Sequence, residues 1–337
     1  MPTADALHPC SPMAKSMQLS KGAFIMVGYA GGLITCFLLL QSRWRQHATP
    51  VAQVLGSNQK EYPEFKSLEH LQTCLSSDAA KASAAADGAL NRARLQEAGL
   101  LGKTWPVRVV CIAGTKPRPP GAKTLHFIRH GQGFHNSLAD FCLLYNIRRR
   151  YSHQAEGLNP YNIAENFDPP LTEIGRQQAK ALQPYARTTR PEMVVVSPMN
   201  RALMTSNIAF AHMLKAGIPW IAHEGCREKS HGNACDYRRT ATELAAEFPN
   251  VNFSNVQEQD PWLSRPEGER TETDASQAAR AYDFMLWIRD RPETEIVVST
   301  HSAWLFSVFN TVLQCQPASL AEWFQNGELR TVHVTFT

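Results

Sequence analysis

The chain predicts an α/β fold: a mostly parallel central sheet with helices on both faces, preceded by an N-terminal transmembrane helix. Three observations carry that reading. Short apolar, β-branched runs alternate with helix-period segments over residues 123–337. Runs such as Met193–Val196 have no polar alternation, which marks strands covered on both faces. The stretch Ala23–Leu40, AFIMVGYAGGLITCFLLL, holds no charge.

Taken in order, residues 1–22 are a polar tail and 23–40 a transmembrane helix or signal anchor. As a helix the apolar stretch reaches roughly 27 Å, against a hydrocarbon core of about 30 Å. A cleaved signal peptide is the rival reading, but Arg43 and Arg45 follow before any small-x-small site. Gly28 and Gly32 leave a GxxxG spacing through which two such helices would form a homodimer. Residues 41–122 read as a stalk. Within it, Ala79–Leu101 is helical in composition, Val107–Ala113 is a candidate strand, and Thr115–Gly121, TKPRPPG, is a hinge.

Composition narrows the function classes. The net charge is +4, and Arg148-Arg149-Arg150 has no interleaved aromatics, which argues against nucleic acid. The eight cysteines include no Cys-x-x-Cys pair and no Cys/His ligand spacing. That pattern favours reduced thiols in a reducing compartment and offers no metal site.

The domain over 123–337 opens with a strand, Thr124–Arg129, running into Arg129-His130-Gly131, where Gly131 allows a sharp turn. A polar stretch without a clean period, Leu138–Phe167, follows, and Asp168 before two prolines fixes a turn. Thr172 is placed to cap a helix starting at Glu173. Met193–Val196 is a strand ending at Ser197-Pro198, and Met204, Ile208 and Ala211 recur at helix spacing up to Gly217. Trp220–Ala222 is a further strand. Ala278, Tyr282, Met285 and Ile288 share one helix face, Ile296–Thr300 is a buried strand, and a helix runs from Ser302 to Leu313. Alternation of Val332, Val334 and Phe336 predicts an edge strand.

Three strands therefore stop at polar groups: Arg129-His130, Ser197 with Arg201 one turn on, and His301-Ser302. In a parallel sheet these ends share one edge. Two histidines and two arginines there suit a phosphate ester. The arginines offer forked donors that keep their charge, and a neutral imidazole can attack phosphorus.

These motifs, Arg129-His130-Gly131 with Asn136, Leu171-Thr172 with Gly175, Ser197-Pro198 with Arg201, and His301-Ser302, resemble the histidine phosphatase superfamily in its phosphoglycerate mutase-like branch. The stretch from Cys226-Arg227-Glu228 through Arg238-Arg239 is similar to a plant and fungal subgroup. The resemblance covers Lys123 to Leu313. It implies that His130 is the nucleophile of a phosphohistidine route and that Arg129, Arg201 and His301 grip the phosphoryl oxygens. Asn136 and the backbone of Ser302 and Ala303 assist in that reading. Glu228 is the proton donor, with Glu224 as rival, and no metal or cofactor is needed. Arg238 and Arg239, with Arg176, are either further contacts to a polyanionic substrate or solvated charges. Hydrolysis of phosphomonoesters is the leading expectation. Phosphoglycerate mutase-type transfer is second, weakened because His231 stands where the mutases carry Tyr. A membrane-tethered phosphoprotein phosphatase and a non-catalytic scaffold are the other readings. The expected partners are a phosphorylated small molecule or phosphoprotein, no nucleic acid, and a membrane through residues 23–40.

Overall fold

The computed structural model describes residues 78–144, 159 and 161–337, all within a compact unit, Gln72–Thr337. The expected tail and the anchor at 23–40 lie outside the described residues. Among the described residues no helix is long and apolar enough to cross a membrane.

Seven strands form one mixed sheet: β1 (Val109–Ala113), β2 (Lys123–Arg129), β3 (Met193–Val196), β4 (Trp220–Ala222), β5 (Glu295–Thr300), β6 (Leu313–Gln316) and β7 (Leu329–Phe336). Their order is β4-β3-β5-β2-β7-β1-β6. All neighbours are parallel except β7, which runs antiparallel to both β2 and β1. The expected edge strand at the C-terminus is therefore interior. β1 and β6 extend the sheet beyond β7, so its Val332 and Val334 are fully buried.

Helices are α1 (Asp78–Glu97), α2 (Phe134–Leu144), α3 (Glu173–Ala181), α4 (Gln183–Ala186), α5 (Asn200–Ala209), α6 (Ala241–Glu247), α7 (Asp274–Arg289) and α8 (Ser302–Ser307). Side chains along the central strands alternate between two cores, as the period of a strand requires. Leu125, Phe127, Met193, Val195, Ile296 and Val298 pack with α7 and α8. Ile128, Val194, Val196 and Val297 pack with α5 and α6 on the other face. Both faces are covered, which is why β3 and the Ile296–Val298 segment of β5 read as unbroken apolar runs.

Three local readings differ from expectation. The first seven residues of the aperiodic stretch, 138–144, belong to helix α2, which starts at Phe134. The helix expected from Ser302 to Leu313 is α8 followed by a π-helical turn, Val308–Val312, and Leu313 already opens β6. Helix α1 and strand β1 arise from the stretch read as a stalk. β1 pairs with β6 and β7, and Leu95 and Leu100 pack against Ala278 and Phe306. The apolar positions of α1 are few, so its hydrophobic face is thin. Contacts distant in sequence give them partners.

Candidate active site

Register brings the polar strand ends together. Arg129 pairs with Thr300 across β2 and β5, and Val196 pairs with Ser299 across β3 and β5. The residues that follow, His130, Ser197 and His301, thus leave the sheet side by side at its carboxyl edge. Two backbone bonds extend the ladder there, His130 N to Thr300 O at 2.9 Å and Ser197 N to Ser299 O at 3.0 Å.

The turn after β2 is built by close approach. Gly131 has no left-handed φ. A Cβ on it would lie 2.4 Å from the carbonyl oxygen of Gly175, and one on Gly175 would lie 2.2 Å from that of Gln132. The two glycines let α3 press its backbone onto the loop. Thr172 caps α3 as expected, accepting from Gly175 N at 3.1 Å. Thr205 of α5 accepts from Gly131 N at 3.0 Å. Asn326 donates to the His130 carbonyl and to Asn136 Oδ1, and Asn136 Oδ1 also accepts from Gly133 N. Asn136 therefore shapes the loop that carries His130.

His130 is 1% exposed. Its Nδ1 lies 2.7 Å from the carbonyl of Gly131, an acceptor only, so Nδ1 carries the proton and Nε2 keeps its lone pair. Burial, then Arg201 and Arg129, push its pKa well below the usual imidazole value, so the ring is neutral. The Nε of Arg201 lies 3.2 Å from that Nε2, and its Nη1 donates to Cys235 O at 3.0 Å. Arg129 anchors one nitrogen on Phe324 O at 2.7 Å and leaves Nε buried without a partner. Burial disfavours its charge and Glu228 offsets that. The rings of His301 and His130 are 5.0 Å apart, and His301 Nε2 lies 2.7 Å from Ser197 Oγ.

Glu228 sits at the start of α8. Its Oε1 accepts from Lys229 N at 2.9 Å and Trp304 N at 3.1 Å, and its Oε2 from Ala303 N at 3.4 Å. The Ala303 amide, expected to assist with phosphoryl oxygens, is thus held by Glu228. The rival Glu224 is tied up, accepting from Arg238 at 2.6 Å and pairing with Arg227 at 3.4 Å.

Arg238 and Arg239, read as either substrate contacts or solvated charges, both make ion pairs within the fold. Arg238 is fully buried and donates to Glu224 and to the carbonyls of Gln257 and Arg239. Arg239 pairs with Asp168 at 3.2 Å and Glu247 at 2.7 Å. Arg176 is half exposed, 3.8 Å from Glu173. Asp168 does fix its turn: at φ 42° it accepts from Asn200 N, at the first turn of α5, and from Arg239 N.

One site residue escaped the sequence. His135 is buried 5.8 Å from His130, ring to ring, with Nδ1 unpartnered, and Arg201 is among the charges that keep it neutral. The single signal for it was a third histidine-type side chain close after His130 in the chain, with no periodicity behind it. Ser197 was visible as part of a motif but without a role. Among the described residues no group of three potential metal ligands occurs, and Cys111, Cys226, Cys235 and Cys315 are free thiols.

Comparison with known proteins follows the same lines. The model of the histidine phosphatase superfamily (branch 1) matches residues 125–336. A phosphoglycerate mutase-like protein of Arabidopsis thaliana is 30% identical over 218 residues, covering 56% of this chain and 74% of that protein. Phosphoglycerate mutase-like protein 1 of the same plant is 28% identical over 243 residues, covering 62% of this chain and 80% of that one. The structure of a mycobacterial glucosyl-3-phosphoglycerate phosphatase is similar at a TM-score of 0.39 and 18% identity, over 64% of this chain and 98% of that one. With a match that spans more than half its length, the chain belongs to the histidine phosphatase superfamily, branch 1.

Proposed function

We propose that the protein hydrolyses phosphomonoesters through a phosphohistidine on His130. The observation that carries this reading is the state of that ring: neutral, pinned through Nδ1 on Gly131 O, with Nε2 beside the Arg201 guanidinium. In the first step the Nε2 lone pair attacks phosphorus and the bond from phosphorus to the ester oxygen breaks. The departing oxygen takes a proton from Glu228 in its acid form. In the second step the Glu228 carboxylate takes a proton from water. The resulting hydroxide attacks phosphorus, and the P–N bond returns its electron pair to His130. Arg129, Arg201 and His301 hold the oxygens on which charge spreads. Their depth in the fold supports small phosphorylated substrates over folded phosphoproteins. The apolar stretch 23–40 supports attachment of the whole chain to a membrane. Retention of the chain in the alkaline-washed membrane pellet is the expected result, and release by that wash excludes the anchor.

The deciding experiment is phosphate release from an aryl phosphate and a panel of sugar phosphates by the full chain and by His130→Ala. Release that vanishes in the variant supports the reading. Release that persists excludes His130 as nucleophile. Absence of release with transfer between phosphoglycerates makes the chain a mutase, and neither activity in folded protein leaves the scaffold.

A further inference from the structure

Ser197 follows β3 and is fully buried, and among the described residues its hydroxyl has one hydrogen-bond partner, Nε2 of His301 at 2.7 Å. The other ring nitrogen, Nδ1, is buried with no partner among the described residues. A neutral imidazole carries one N–H, so the direction of the Ser197 bond decides which nitrogen has it. Burial, then Arg201, His130, His135 and Arg227, keep the ring from charging.

Two arrangements are open to a neutral ring. If Nε2–H donates to Ser197, the hydroxyl proton is a buried donor without an acceptor, and Nδ1 presents a lone pair. An anion brought in by Arg129 and Arg201 would then meet that lone pair head on. If the hydroxyl donates to Nε2, that bond is equally well made and the unpaired donor is Nδ1–H, which an oxygen of the same anion satisfies. Each arrangement leaves one buried donor unpaired at rest, and only the second turns it into a contact once an anion is bound, so the second arrangement wins in the occupied site.

We infer that Ser197 is a positioning residue: its hydroxyl donates to Nε2 of His301 and holds the ring in the tautomer whose proton lies on Nδ1, ready for a phosphoryl oxygen. The inference rests on the reading of the site as a phosphate-binding centre, because the oxygen that Nδ1–H meets is the bound anion's. The His130 ring is set in the same way by a different partner, its Nδ1–H on Gly131 O. Both catalytic rings then carry the proton on Nδ1, but for opposite uses. One presents a lone pair to phosphorus and the other a donor to oxygen.

The test is a long-range proton–nitrogen spectrum of the full chain with ¹⁵N-labelled histidine in saturating inorganic phosphate, the His301 ring identified by its loss in His301→Gln. A pyrrole-type Nδ1 and a pyridine-type Nε2 are expected, and a protonated Nε2 overturns the inference whatever the activity. Ser197→Ala should mix the tautomers and lower kcat on an aryl phosphate about tenfold, less than the about 10²–10³ that follows deletion of a donor. Ser197→Thr, which keeps the hydroxyl, should restore both. A Ser197→Ala protein with unchanged tautomer and rate reduces Ser197 to packing and overturns the assignment. If Ser197→Ala does not fold, the wild-type spectrum alone decides. Phosphate release that persists in His130→Ala removes the phosphohistidine route and leaves the tautomer assignment to stand or fall on the spectrum.

Discussion

The Nε of Arg201 lies 3.2 Å from Nε2 of His130, so the lone pair of that ring is capped by a cationic donor. A phosphoryl oxygen must take over that N–H before the lone pair can attack. The fork of Arg201 is fixed at its far side by Cys235 O at 3.0 Å, which limits how far the group can swing away. Arg201→Lys keeps the charge but loses the planar fork. Loss of about 10²–10³ in kcat is expected for both Arg201→Lys and Arg201→Ala. Steady-state kinetics on an aryl phosphate check this, and near-wild-type turnover by the lysine variant contradicts it.

Three neutral histidines share the site. His130, His135 and His301 all have pKa values well below the usual imidazole value, with burial the first cause in each. In the unfolded chain they titrate near about 6.5. Below that pH the unfolded state binds protons that the native state refuses, so their contribution to stability is complete above about 6.5 and is lost as pH falls. The His130 ring itself stays neutral much further down. Urea midpoints should decline as pH drops below about 6.5, while the acid limb of kcat/KM lies well below it. An acid limb at the ordinary imidazole value would show that His130 is not depressed.

Glu228 and Glu224 separate by chemistry. Removal of the proton donor should matter most when the leaving oxygen is basic. Glu228→Gln is expected to lower turnover of alkyl phosphates about 10²–10⁴-fold and that of activated aryl phosphates much less. Glu224→Gln weakens the pairs with Arg238 and Arg227 and should lower the melting temperature instead. The reverse pattern would move the donor role to Glu224.

Gly131 and Gly175 are two sides of one contact. Gly131→Ala places a methyl 2.4 Å from the Gly175 carbonyl, and the obstacle is backbone that cannot rotate away. A loss of about 1–3 kcal/mol is expected, with displacement of the His130 loop. Gly175→Ala meets the Gln132 carbonyl in the same way. Because each substitution opens the space the other needs, the double variant should fall short of the sum of the single costs. Chemical denaturation of the three variants tests this, and full additivity would show that the contact is not shared.

Helix α1 contributes to the domain that follows it. Leu95 and Leu100 are buried against Ala278 and Phe306, and Arg94 pairs with Asp274 at 3.0 Å. Burial of two leucines is worth at most about 1.5–3 kcal/mol each, and the half-exposed ion pair adds little. A chain starting at Thr104 should be less stable by about 2–5 kcal/mol than one starting at Gln72. Equal urea midpoints for the two chains would make α1 a passive spacer.

How much was legible follows the range of the forces involved. Strands β3 and β5 were visible because a strand buried on both faces is near-continuously apolar, and β2 by its β-branched and aromatic residues. Their polar ends were visible as breaks in those runs, and parallel pairing alone aligned Arg129-His130, Ser197 and His301. The cap at Thr172 and the turn at Asp168 are local bonds of a few residues, which local sequence specifies.

The remainder depended on which distant groups meet. The terminal strand β7 alternates as an edge strand would, and only its pairing with β1 and β2 placed it inside. Arg238 and Arg239 had the composition of a polyanion site, and Glu224 that of a proton donor. They neutralise one another and Asp168, and no spacing rule foretells which cation a carboxylate finds. His135 enters the site because the loop after β2 turns into α2 and brings its ring 5.8 Å from His130. The sequence by itself determined the sheet's core strands and the chemistry at their ends, since burial and hydrogen-bonding demand leave a mark on each residue. Tertiary structure alone decided which charges serve the site and which hold it in place, since an ion pair is a property of two positions and is written in neither.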